Sequence, residues 1–402
     1  MPAQSVNEML LGDVRVLDLS RILAGPYCTM ILGDLGAEVI KVERPETGDD
    51  TRTWGPPFAG GESAYYLCCN RNKKSITIDL KNPRGSGLVK ELAKVSDVLI
   101  ENFTPGLMKR FGLDYEALRE HNPRLIYCSI SAYGQDGPYR DRPGYDLVLS
   151  AVGGLMWITG PEGGEPCKVG VAITDVLTGV YASSAIMAAL IRRGRSGRGQ
   201  YIDCSLLDVQ VAALANIASN YLVAGKEARR WGTAHESIIP YQVFRTKDRP
   251  IAIAVANQKL WESFCRTIEK QEWIKDPRFE SNAKRVENRV ELVARVAEVL
   301  AQKSCDEWIE LFVDASIPCG PVNNMQRLFD DPQVLHREMV VNVPHETIGK
   351  LRLTGVPIKY SETPGTIRLP PPLLGQHTDE ILTGVLGYSK EQVESLRQHG
   401  AV

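Results

Sequence analysis

Val14–Glu43 reads VRVLDLSRILAGPYCTMILGDLGAEVIKVE, and this stretch decides the fold class. Val14 to Leu19 alternates in character and is rich in strand formers, whereas Pro26 sits where a first helical turn begins and an apolar-periodic run follows to Gly36. Glu38 to Glu43 then reads as a second strand. A strand, a helix and a strand in close succession form the repeating unit of a parallel sheet covered by helices.

Outward from this unit the same texture continues. Ser75 to Leu80 reads as a strand, Pro83 to Val95 as a helix, and Asp97 to Phe103 and Leu125 to Tyr133 as further strands. A stretch rich in glycine and proline, Gly153 to Gly170, leads through the strand-like Val169 to Ile173 into a long helix from Asp175 to Arg193. That helix stops at the turn Gly194 to Gly199. A strand (Tyr201 to Ser205) and a helix (Leu207 to Val223) complete the region. From about Ala224 the pattern changes to a hairpin, Tyr241 to Arg245 with Ile251 to Val255, and then to charged helices as far as Val313. The expected fold is therefore α/β, with a large domain over residues 1–225, a small α+β domain over 226–321, and a return to the large domain over 322–402. The last segment holds the strand-like Leu351 to Ile358.

Composition narrows the function classes. Lys and Arg total 47 against 49 Asp and Glu, so a net charge of -2 supplies no field for nucleic acid or an anionic membrane. An anionic ligand must be met by local cations. The longest apolar run, Val180 to Ile191, is short of the roughly 20 residues that span a bilayer, so no membrane association is expected. The nine cysteines form no CxxC pair, which fits reduced thiols rather than a zinc site or a disulfide framework. Met1 to Leu11 carries no basic or Arg-rich targeting pattern.

Several motifs bear on chemistry. Asp18–Pro26 has only Gly25 where a dinucleotide fold places its G-x-G-x-x-G, which disfavours a nicotinamide enzyme. Arg44 follows Glu43 at a strand's end, where a cation suits a ligand bearing phosphates, and Asn70–Lys74 gathers three cations ahead of the next strand. Both also read as solvated charge. The cluster Arg192, Arg193, Arg195 and Arg198 reads as a helix C-terminus meeting its dipole. Asp175, at the start of the long helix, reads on pattern first as a cap, and the same place also suits a nucleophile. Helix-start amides stabilise a carboxylate and, once it is acylated, donate to an oxyanion. No sequence rule separates the two.

Taken together, Asp18–Pro26, Gly33–Pro45, Gly48–Asp49, Asn70–Ser75, Glu101–Gly106, Gly144–Asp146 and Gly197–Gln200 resemble the successive blocks of the class III CoA-transferases, relatives of the formyl-CoA and carnitine CoA-transferases. The resemblance runs from about Gly12 to Leu386. It is closest in appearance to the mitochondrial members that move CoA from succinyl-CoA to glutarate or 3-hydroxy-3-methylglutarate. It implies a Rossmann-like large domain built from both chain ends, an interlocked homodimer, and CoA thioesters as substrates with no metal and no redox cofactor. It places the acyl-accepting carboxylate at Asp175 and CoA contacts at Ile22, Ala24, Arg44, Ile78, Lys81, Asn102, Phe103, Arg110, Tyr145 and Asp146. For the second carboxylate of a dicarboxylic acid the expected partners are Arg71 and, on the loop that replaces the family's glycine-rich flap, His235. Leu23 stands where formyl-CoA transferase has glutamine, which argues against formyl or oxalyl substrates. Two alternatives stand beside this reading. One is an α-methylacyl-CoA racemase, whose histidine is replaced here by Tyr145, a poor base with an unperturbed pKa of about 10. The other is a non-catalytic acyl-CoA-binding protein.

Overall fold

The computed structural model describes residues 8–402; residues 1–7, part of the segment read above for a targeting signal, lie outside the described residues. Two compact units result. One contains the chain up to Leu155 together with Lys168–Lys226 and Gln333–Val402; the other contains Met156–Cys167 and Glu227–Pro332. The second unit thus includes a short segment ahead of the long helix and runs further than residue 321.

In the first unit the order is β1 (Arg15–Asp18), α1 (Ala24–Asp34), β2 (Glu38–Glu43), β3 (Lys73–Thr77), α2 (Pro83–Lys94), β4 (Val98–Glu101), β5 (Ile126–Ser131), α3 (Asp146–Val152), α4 (Ile173–Ser196) and β6 (Tyr201–Ser205). The six strands form one sheet in the order β3-β2-β1-β4-β5-β6. Every pairing in it is parallel. Alternate residues of a strand point to opposite faces, and the sheet separates two cores accordingly. Leu17, Ile40 and Leu99 face a cluster with Leu88 and Leu92 of α2, whereas Val16, Val39 and Val98 face one with Leu32 of α1 and Ile186 of α4.

The chain's last segment belongs to the first of these cores. Ile381, Leu382, Val393 and Leu396, from the helices Thr378–Gly384 and Lys390–Gln398, pack into it. The Asp79 amide donates to the Ala401 carbonyl at 3.0 Å. Both chain ends therefore build the sheet's surroundings.

Two local expectations are corrected. Val169–Ile173 forms no strand, and its last residue already belongs to α4. The expected helix Leu207–Val223 is two helices, Leu206–Ala213 and Ala215–Ala224, bent by 76°. Ala215 turns the corner with a φ of 46°, and neither proline nor glycine marks the break. α4 is by length and composition able to cross a membrane. Its buried face, however, carries Thr174, Asp175, Thr178 and Ser183 as well as Ile186, and it packs with α1 as a core helix.

The second unit has its own core. Strands Cys319–Pro321, Pro250–Ala254 and Tyr241–Arg245 make an antiparallel sheet. Trp261, Phe264, Trp308 and Phe312 are fully or almost fully buried against it.

Candidate active site

In an open parallel sheet, ligands bind outside the carboxyl ends of the strands at the point where the strand order reverses. Here that point lies between β1 and β4. The chain leaves β1 through Ser20–Leu23 and enters α1, and it leaves β4 through Asn102–Gly106; these diverging loops open a cavity of about 240 Å³. Ile22, Ala24, Asn102, Phe103, Tyr145 and Asp175 are among its walls. A neighbouring cavity of about 220 Å³ is walled by Arg44, Ile78 and Lys81. Arg21, Phe103 and Leu107 line both.

Asp175 is the third residue of α4 and is 9% exposed. No hydrogen bond or ion pair engages its carboxylate among the described residues. Burial, and secondarily the charge of Asp146, push its pKa up to about 7. That combination sets Asp175 apart from a helix cap: a structural carboxylate of this burial is normally hydrogen-bonded or paired. Asp146, at the start of α3, accepts from the Thr174 amide at 2.8 Å and so ties α3 to the first turn of α4. No side chain caps the start of α1, so its first turn, at Ala24, brings helix-start amides to the same cavity.

Most of the residues expected at a CoA site come together in these two cavities. Asn102 does so by an indirect route: its side-chain oxygen accepts from the Arg21 amide at 2.8 Å and its NH2 donates to the Arg21 carbonyl at 2.7 Å. Arg110 ends a short helix, Leu107–Arg110, with its side chain exposed and lines neither cavity. Arg71 is corrected. It is 2% exposed, and its guanidinium grips Asp34 through Nε (2.9 Å) and Nη2 (2.7 Å) and also meets the Thr354 carbonyl. A fork already filled by a buried carboxylate is not open to a substrate. His235 lies in the second unit, where its Nδ1 accepts from the Ser237 amide at 3.0 Å and its ring packs on Tyr241.

Sequence reading passed over three cations that line the larger cavity: Arg21, Arg140 and Arg142. Arg21 pairs with Asp50 at 2.8 Å, and Arg142 lies over the Tyr139 ring at 3.7 Å. The only signal was their place in the blocks around Asp18–Pro26 and Gly144–Asp146. Among the described residues no group of three or more His, Cys, Asp or Glu is arranged to hold a metal.

Three arginines and a buried, unpaired carboxylate thus share one cavity, on a sheet without a dinucleotide glycine loop. The family described as CoA-transferase family III matches residues 11–378. The chain belongs to CoA-transferase family III. Human succinyl-CoA:glutarate CoA-transferase is 51% identical over 402 residues, which is 100% of this chain and 92% of that one. The succinate–glutarate CoA-transferase of Agrobacterium fabrum is 44% identical over 92% of this chain and 94% of its own length. Among solved structures, a CAIB/BAIF family protein from Brucella suis superposes with a TM-score of 0.85 at 42% identity, over 94% of this chain and 100% of that one. By that family and those relatives the chain is a CoA-transferase.

Proposed function

We propose that the protein transfers CoA from succinyl-CoA to glutarate or a similar dicarboxylate, with Asp175 as the covalent carrier. The observation that carries this reading is the Asp175 carboxylate itself, buried, unpaired and raised to about 7 in the cavity at the sheet's switch point. The relatives named above supply the substrates.

The cycle uses a carboxylate to divide a thioester exchange into easier steps. An Asp175 carboxylate oxygen attacks the succinyl thioester carbonyl; the C–S bond breaks, leaving a mixed anhydride and CoA thiolate. The thiolate attacks the aspartyl carbonyl, succinate departs, and an aspartyl-CoA thioester remains. A glutarate carboxylate then displaces the thiolate to form a second anhydride. Return of the thiolate to the glutaryl carbonyl releases glutaryl-CoA and restores Asp175. Each tetrahedral intermediate carries an oxyanion, which in this reading the helix-start amides near Ala24 receive. In this reading Arg44 and Lys81 meet the phosphate end of CoA, and Arg21, Arg140 and Arg142 give the larger cavity its positive wall.

The interlocked homodimer belongs to the same proposal. Tyr221, Leu222 and Val223, at the end of Ala215–Ala224, are 56%, 81% and 83% exposed. An apolar ridge of this kind suits burial by a second copy of the chain. Incubation of purified protein with succinyl-CoA and glutarate, with mass analysis of intact protein, tests the chemistry. The reading requires glutaryl-CoA and a CoA adduct that Asp175→Asn abolishes; exchange undiminished in that variant would refute it.

A further inference from the structure

The backbone of Ser20–Ile22, between β1 and α1, belongs to no helix or strand, yet each of its polar groups meets a side chain. The Ser20 amide donates to Asp18 Oδ1 at 2.9 Å and its carbonyl accepts from Lys41 Nζ at 2.9 Å. Asn102 holds both groups of Arg21. The Ile22 amide donates to the Asp49 carboxylate at 3.2 and 3.3 Å, and the Ile22 carbonyl meets Cys69 Sγ at 3.8 Å. Ile22 itself has a φ of 72°, a conformation that β-branched residues avoid. Such a conformation persists only where its surroundings impose it. The groups that impose it include a buried ion pair, Lys41 Nζ to Asp49 at 2.9 Å, both side chains 0% exposed. Asp49 further accepts from Thr51 through its amide (3.0 Å) and hydroxyl (2.8 Å), so the carboxylate cannot swing away.

This loop is a wall of the Asp175 cavity. The start of α1 that it leads into touches the helix that carries Asp175: a Cβ on Gly179 would stand 2.7 Å from the Ala24 carbonyl oxygen. A shift of Ile22–Ala24 therefore presses on the turn that follows Asp175.

We propose that the buried Lys41–Asp49 pair is a positioning device for CoA transfer, pinning the Ser20 carbonyl and the Ile22 amide so that the left-handed Ile22 turns Leu23 and Ala24 into the cavity wall beside Asp175. Lys41 and Asp49 lie against the smaller cavity, but both side chains are 0% exposed, and in this account they act through Ile22 rather than by contact with substrate. The inference rests on the proposed role of Asp175, and its test separates the two.

Lys41→Met combined with Asp49→Asn removes the charges together and leaves no lone buried ion. In the full-length protein, amide hydrogen exchange over residues 20–24 is expected to quicken roughly tenfold or more as the clamp is lost. Turnover of succinyl-CoA with glutarate is expected to lose about tenfold in kcat with KM for succinyl-CoA changed by less than about threefold, as for an interaction used in the transition state. Adding Ile22→Gly recovers part of kcat, because glycine adopts this φ unaided. Adding Ile22→Ala, which loses the same side chain but keeps the strain, does not. Unchanged amide exchange overturns the proposal whatever the substrate is. So does an unchanged kcat, or equal rescue by glycine and alanine. Absence of turnover in the wild-type protein counts against the proposed function alone, and amide exchange then decides the clamp. Should the paired variant fail to fold, Asp49→Glu keeps the ion pair while displacing its oxygens, and the same pattern is expected of it.

Discussion

Gly179 lies one turn after Asp175 on α4, and a Cβ built on it would stand 2.7 Å from the carbonyl oxygen of Ala24. The first turn of α1 and the second turn of α4 can approach this closely only because position 179 has no side chain. Alanine is the better helix former by about 1 kcal/mol, so propensity favours Gly179→Ala. Overpacking against a backbone atom that cannot rotate aside typically costs about 1 to 3 kcal/mol, and it should win. Thermal unfolding of Gly179→Ala is expected at a lower temperature, with kcat reduced in the protein that remains folded. A more stable and fully active variant would show that the two helices yield without consequence.

The raised pKa of Asp175 makes a prediction about pH. Its folded value of about 7 lies above the ordinary 3.8, so the folded protein holds this proton more tightly than the unfolded chain. Stability therefore falls as pH rises from about 4 to about 7. A difference of about three units sets an upper bound of about 4 kcal/mol. Asp175→Asn escapes this cost, and denaturant unfolding should find it more stable than wild type at pH 8, with the gap closing near pH 4. Turnover runs the other way: kcat/KM should climb towards a plateau above about pH 7, as the nucleophilic form fills. Equal stabilities at pH 8 would place the Asp175 pKa in the normal range.

Arg71 should reveal itself in stability and not in substrate choice. Its loss strands the Asp34 carboxylate, which is 4% exposed, and breaking a buried pair costs about 3 to 5 kcal/mol. Urea unfolding of Arg71→Ala should shift accordingly. The enzyme that remains folded should keep its ratio of rates for glutarate and a monocarboxylate of similar length.

Arg44 offers the contrasting case. Its side chain is 51% exposed and pairs with Asp50 at 2.6 Å on the rim of the smaller cavity. Removing a charge-assisted phosphate contact costs about 1.5 kcal/mol, roughly tenfold in affinity. Steady-state kinetics of Arg44→Ala should therefore raise KM for succinyl-CoA about tenfold with kcat nearly unchanged. An unaltered KM would take Arg44 out of the CoA site.

Short-range pattern carried much of this protein. Period-two alternation and the helix marks around Pro26 and Pro83 located β1, β2, α1 and α2 to within a residue or two, because those signals are local and the same residues face the two cores. The ordered blocks from Asp18 to Gln200 pointed to the family. The bend at Ala215 was illegible, since nothing local marks it. Only the tertiary structure decided what the charges do. Arg71 and Lys73 sit two residues apart in one cationic block, and both are spent inside the fold, on Asp34 and Asp18. Asp175, by contrast, is left without a partner and so has a raised pKa. A charge's role depends on its desolvation and on which opposite charge lies within a few ångströms, and residues such as Asp34 and Arg71, or Lys41 and Asp49, meet only once the strands have been laid side by side.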